Sequence, residues 1–165
     1  QEQDNLAKLL NSLNKQKSLF LKLPPYTTNE EKTLVFSLIK TAISCGIDGF
    51  TIANTKPISD DRLAVGKGGM SGKPLLTQTI QMVKEIRSEF GFDFIINACG
   101  GISNAYDLLS VLYAGANTGQ LLTAFIYRGP NIANNINNTL VKLIEKTGSK
   151  NITELVQQYS NLDKL

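Results

Sequence analysis

Apolar positions along this chain recur at two periods, and the switching between them lays out its elements. Leu6, Leu9, Leu10 and Leu13 fall at i, i+3, i+4 and i+7, with Lys8, Asn11 and Ser12 between them, which predicts an amphipathic helix ended by a lysine-bearing turn over 14–17. The run Ser18 to Leu23, closed by Pro24 and Pro25, is too brief for a helix and reads as a buried strand. Thr28, Asn29, Glu30 and Glu31 spell a capping box: the hydroxyl accepts from the N3 amide while the Glu31 carboxylate reaches back to the cap. The helix it opens carries Leu34, Val35, Leu38, Ile39, Ala42 and Ile43 on one face, and Gly46 is placed to end it.

The same unit then recurs. Phe50 to Ala53 reads as a second strand, followed by a long polar segment and a helix on Ile80, Val83 and Ile86 that ends near Gly91. Phe94 to Ile96 is the third strand; Ser103 is placed to cap a helix carrying Leu108, Leu109 and Leu112, which stops at Gly115. Gln120 to Leu122 belongs to a fourth strand, and the next helix carries Ile132, Ile136, Leu140, Leu143 and Ile144 up to Gly148, with Asn131, Asn134, Asn135, Asn137 and Asn138 on its solvated side. The tail, 149–165, can add a short packing helix on Ile152, Leu155, Val156 and Tyr159. A weak repeat marks the joints: Gly46-Ile47-Asp48, Gly91-Phe92-Asp93 and Gly115-Ala116-Asn117 each place a helix-stopping glycine, an apolar residue and an Asp or Asn before the next strand. Strands alternating with amphipathic helices predict an α/β fold with a helix-covered parallel sheet. A doubly wound sheet of four or five strands suits the length, whereas a closed eight-stranded βα barrel needs about 250 residues and twice as many units.

Composition then narrows the chemistry. The 165 residues, 42% hydrophobic and 19% charged, suit one compact domain. With no histidine, the chain cannot by itself supply a Ser-His-Asp or Cys-His triad or a His-containing zinc site. Cys45 and Cys99 read as free thiols in a reducing compartment, and no metal site is expected. The net charge of +3 is scattered rather than gathered on one face, so no nucleic-acid partner is expected. No apolar run approaches the roughly 20 residues of a membrane span, and the polar start Gln1 to Asn5 is no signal peptide; the chain is expected to be soluble.

Candidate chemistry gathers after the strand ends, where ligands bind in either architecture. Gly66 to Leu75 is glycine-rich but lacks P-loop spacing; it is either a flexible loop or, given the unusual length of 55–77, a functional one. Gly100-Gly101 before Ile102-Ser103 is either a tight strand-to-helix turn or a set of free amides at a helix start suited to a phosphate. Leu122-Thr123-Ala124 follows the next strand, and in phosphate-binding barrels the loops after the last two strands often share that task. Lys22 lies in an apolar run on the same side as Phe20, either on the wet face of an edge strand or beside an anion or electron-rich group. Asn54-Thr55 is either a turn or a pair of polar groups suited to a planar, carbonyl-rich ligand.

Six signatures, in order, resemble the dihydroorotate dehydrogenase family, and more closely its quinone-using, membrane-associated class. They are Phe20-Leu21-Lys22-Leu23 with Pro25; Gly46-Ile47-Asp48-Gly49 followed by Asn54-Thr55; Gly68-Gly69-Met70-Ser71-Gly72-Lys73-Pro74-Leu75, the most specific; Gly100-Gly101-Ile102-Ser103; Ala114-Gly115-Ala116; and Gln120-Leu121-Leu122-Thr123-Ala124. The resemblance runs from about Leu6 to about Leu155. It implies an FMN site on a TIM-type βα barrel. Lys22 would stand beside the flavin ring, Asn54 and Thr55 would bind the pyrimidine substrate, Ser71 and Gly72 would line the ribityl chain, and Gly100, Gly101, Leu122 and Thr123 would hold the phosphate. The implied reaction oxidises dihydroorotate to orotate in pyrimidine (UMP) biosynthesis, with electrons passing through FMN to a quinone.

The departures are Ala53 where the family usually has a hydroxyl residue, Tyr26 where it often has Asp, and Leu122 where Tyr is common. The signatures also map only to the second half of the family's barrel. Residues 1–165 are therefore expected to form the C-terminal half, about four βα units, with no catalytic residue: the proton-abstracting serine and the N-terminal helices that admit the quinone belong to the other half. The partner expected is that missing half or a second chain, and the parent enzyme is expected to be peripheral on the bacterial or mitochondrial inner membrane. Two alternatives remain at this point, a non-catalytic FMN- or phosphate-binding module and a half-barrel interaction subunit.

Overall fold

A computed structural model describes residues 1–159. Four parallel strands, β1 (Phe20–Lys22), β2 (Gly49–Ile52), β5 (Ile95–Cys99) and β6 (Thr118–Gln120), form the main sheet in the order in which the chain makes them. A doubly wound sheet reverses its strand order at a switch point, whereas a barrel adds each strand beside the last. The order observed is that of a barrel, and the fold is a partial βα barrel.

The two faces of the sheet confirm this. By alternation, Leu23, Phe50, Ile52, Ile96 and Ala98 share one face, and all five are buried in the core under the helices. Phe20, Lys22, Ile95, Thr118 and Gln120 lie on the other face and are exposed. A doubly wound sheet would bury both faces.

Helix α1 (Glu2–Ser12) leads the chain, and α2 (Asn29–Ser44), α3 (Leu76–Phe90) and α4 (Ala105–Tyr113) connect the strands. The Thr28 box caps α2 as expected: Thr28 Oγ1 accepts from Glu31 N at 3.2 Å, and Glu31 Oε2 accepts from Thr28 N at 3.1 Å. Beyond β6 come a short helix α5 (Thr123–Arg128), α6 (Ile132–Thr147) and α7 (Ile152–Gln158), whose Ile136, Leu140 and Leu155 pack with Leu109 of α4 in a second cluster. The expected tail helix is thus α7; residues 160–165 lie outside the described part.

Several expectations are corrected. The apolar stripes of α1 and α2 are narrower than the sequence suggests: Leu9, Leu13, Leu34 and Ile43 are exposed, because each helix covers its neighbour along a single row, Leu10 in α1 and Val35, Ile39 and Ala42 in α2. Asn104, not Ser103, caps α4, its Oδ1 accepting from Asp107 N at 2.9 Å. The fourth strand pairs through Thr118 to Gln120 rather than Gln120 to Leu122, and Leu122 is the N-cap position of α5. The segment after β2, expected as a long polar stretch, holds an antiparallel hairpin, β3 (Lys56–Ser59) with β4 (Lys67–Met70). Among the described residues no helix is long and apolar enough to cross a membrane.

Candidate functional site

Each parallel strand ends at the same rim of the sheet, and the loops leaving those ends enclose one cavity of about 620 Å³, its open mouth included. Lys22 closes β1, Ala53-Asn54-Thr55 leave β2, Cys99 to Ile102 leave β5, and Gln120 to Thr123 leave β6. The hairpin contributes as well. Its two legs are anchored at Thr55 and at Ser71-Gly72, so a segment remote from the sheet returns to the rim beside β2.

All nine positions singled out from the sequence line this cavity: Lys22, Asn54, Thr55, Ser71, Gly72, Gly100, Gly101, Leu122 and Thr123. The buried apolar side chains of Ala53, Leu75 and Ile102 complete the wall. Sequence reasoning did not single out Leu75, Cys99, Gln120 or Leu121. Cys99 and Leu121 adjoin chosen residues, while Leu75 and Gln120 stand in the quoted signatures without a role attached to them.

The chemistry of the lining is one-sided. Among the described residues no Asp or Glu lines the cavity, and Lys22 has no carboxylate partner. The two readings of Lys22 merge, because it sits on the open face of an edge strand and also in the cavity. Asn54 Oδ1 accepts from Thr55 N at 2.9 Å, which orients the amide, and Thr123 Oγ1 donates to Ser71 Oγ at 3.0 Å across the cavity. Among the described residues, no acceptor takes the N–H of Gly101 or Leu122. Cation and free donors without a carboxylate make a site for an anion.

Local backbone explains the glycines. Gly100 and Gly101 have φ of +149° and +81°, and a Cβ on them would come within 2.5 Å of Thr79 Oγ1 and 2.4 Å of Leu76 N respectively. Only glycine lets this loop turn so closely over the start of α3.

Behind the wall lies a set of ties. The buried Asp107 carboxylate pairs with Lys73 and accepts from Ser103 N at 3.0 Å and Ser103 Oγ at 2.8 Å. Burial alone would raise its pKa, but the bonds from Lys73 and Ser103 outweigh burial and hold it below the usual carboxylate value. Arg128 of α5 donates to Ser103 O at 3.1 Å. Lys73, Asp107 and Arg128 were not singled out, although the Asn104-x-x-Asp107 spacing is a readable helix-start signal.

Comparison with known proteins bears on this geometry. The family model described as dihydroorotate dehydrogenase matches residues 1–144. Dihydroorotate dehydrogenase (quinone) of Helicobacter acinonychis is 34% identical over 143 residues, covering 86% of this chain and 40% of the relative. The mitochondrial dihydroorotate dehydrogenase (quinone) of Arabidopsis thaliana is 32% identical over 143 residues, covering 84% of this chain and 30% of that protein. Two crystal structures of DHODH from Eimeria tenella share the fold. One is in complex with ferulenol (TM-score 0.75, 24% identity) and one is ligand-free (TM-score 0.73, 25% identity); each match covers 93% of this chain and about half of theirs, 48% and 49%. The chain thus spans well under half the length of these curated relatives.

Proposed function

The chain belongs to the dihydroorotate dehydrogenase family, and from that premise we propose that residues 1–165 are the C-terminal half of an FMN-binding βα barrel whose whole oxidises dihydroorotate to orotate. The observation that carries this reading is the convergence of nine residues from five separate stretches of chain on one carboxylate-free cavity.

The donor set fits the cofactor. The free amides of Gly101 and Leu122, with the close backbone of Gly100 and the Thr123 hydroxyl, suit a phosphate; the Ser71 hydroxyl suits a polyol chain; Ala53, Leu75 and Ile102 offer apolar surface to a ring. Lys22 offers a positive charge that favours a reduced, electron-rich ring beside it. Asn54 and Thr55 present amide and hydroxyl groups suited to the carbonyl and N–H edges of a pyrimidine. The chemistry that bound FMN supplies is acceptance of a hydride and its release as electrons to a quinone.

No residue of this chain is assigned the proton abstraction; in our reading the serine that performs it, and the quinone entrance at a membrane surface, belong to the other half of the barrel. The exposed sheet face and the unpaired outer edges of β1 and β6 support a partner in that position.

The test is an absorbance spectrum of the purified chain with FMN added and free flavin removed. Retained flavin, with no dihydroorotate-driven dye reduction by the chain alone, is the expected result. Absence of any flavin uptake overturns the FMN reading, and dye reduction by the chain alone overturns the placement of the base elsewhere.

A further inference from the structure

Three loops meet at the phosphate end of the cavity, and side chains tie them in a closed triangle. The loop at Ser71-Gly72-Lys73 joins the loop at Gly100 to Ser103 through the Lys73–Asp107 pair. That second loop joins the start of α5 through Arg128 and Ser103 O, and α5 joins the first loop again through Thr123 and Ser71. Lys73 and Arg128 are exposed surface side chains, whereas Asp107 is 6% exposed.

Helix capping alone does not account for Asp107. Glu31 does the same work at the start of α2, accepting from Thr27 and Thr28, but it is exposed and forms no ion pair among the described residues. Asp107 is buried and takes a lysine from 34 residues away in sequence. It also puts a negative charge beside a site whose lining is otherwise built for an anion, an arrangement that electrostatics by itself disfavours.

We propose that Asp107 is a positioning residue of the phosphate cradle: by gripping Lys73 on one glycine loop and Ser103 on the other, its carboxylate sets the separation of Gly72 from Gly100 and Gly101. This rests on the reading of the cavity as the site of a flavin phosphate. The role has a distinctive sign. A carboxylate that acted only through its charge would weaken phosphate binding, and its removal would strengthen it. A carboxylate that holds the cradle open to the right width has the opposite effect on removal.

Fluorescence titration of the full 165-residue chain with FMN and with riboflavin, which lacks the phosphate, separates these outcomes. The wild-type chain binds FMN more tightly than riboflavin; equal affinities, or no binding, overturn the phosphate reading itself before any variant is made. In Asp107→Asn, FMN affinity falls about tenfold, the scale on which groups orienting a ligand-holding shell act, while riboflavin affinity holds. Unchanged or strengthened FMN binding overturns the positioning role, and a parallel loss of both ligands shows general damage and overturns it too. Asp107→Glu keeps the charge and a partner for Lys73 but lengthens the arm by one methylene. It shows the same selective loss, and it decides the matter if Asp107→Asn does not fold.

Discussion

Phe20 and Phe50 stand on neighbouring strands of one sheet and differ chiefly in the face they occupy. Phe50 is fully buried, edge-on to Phe94 at 5.1 Å, beneath the helices; Phe20 is 36% exposed on the uncovered side. The covered face is uniformly apolar. The uncovered face carries a row in direct register, Lys22, Thr51, Asn97 and Thr118, polar at every strand, with Thr118 Oγ1 donating to Asn97 Oδ1 at 2.6 Å. Packed barrel interiors are dominated by bulky branched residues. The contrast teaches that one side of the sheet makes the fold while the other carries a polar row, of which Lys22 reaches the cavity.

The sharpest way to break this comparison is to truncate the two rings in turn. Phe50→Ala should cost about 3–5 kcal/mol in urea unfolding, whereas Phe20→Ala should cost about 1 kcal/mol or less. Equal costs would mean that the open face is packed in solution. Next in size is Arg87, buried at the end of α3, where it donates to the carbonyls of Gly91, Phe94 and Gly115 and to Asn117 Oδ1. Arg87→Met keeps much of the apolar stem and strands these acceptors, and should cost about 2–3 kcal/mol.

Charge separates the faces as well. Burial, and then the neighbouring Glu85 carboxylate, push the Tyr26 phenol above its ordinary value. Because the folded-state value is the higher one, the stability this group contributes is complete below the unfolded value of about 10 and is lost as pH rises above it. Melting temperatures of wild type and Tyr26→Phe, compared at pH 8 and pH 11, should show the steeper alkaline fall in the wild type. Lys22 is the opposite case. Lys22→Ala on the open face should change stability by no more than about 0.5 kcal/mol while weakening retention of FMN, read from the spectrum after desalting.

The sequence was most readable where a local signal and the tertiary environment agreed. Thr28 with Glu31 located the start of α2, and Gly91 and Gly148 its counterparts' ends, because capping is decided within a few residues. It misled where an apolar run had no core to face. Gln120-Leu121-Leu122 looks like a strand, yet pairing is carried by Thr118 to Gln120, and Leu122 turns out 70% exposed at the cavity mouth. The hairpin was hidden for the converse reason. Pro57, Gly68 and Gly69 are poor strand formers, and a Cβ at position 69 would come within 2.4 Å of Thr55 Oγ1, so close approach to Thr55 rather than propensity holds that strand in place. The candidate site was legible because its members sit directly after strands, and the Lys73–Asp107 tie was not, because nothing local joins two residues 34 apart.

The order of strands in the sheet has a consequence for how the chain comes to be folded. Each parallel strand pairs with the one made immediately before it, β2 on β1, β5 on β2 and β6 on β5, so no strand waits for a partner synthesised later. Structure can grow from β1 toward β6 during synthesis, one unit at a time on a single advancing edge. The cavity follows a different clock. Its last wall, Leu122 and Thr123, is translated a hundred residues after Lys22, so a nascent chain stopped short of β6 has most of its sheet and no finished pocket.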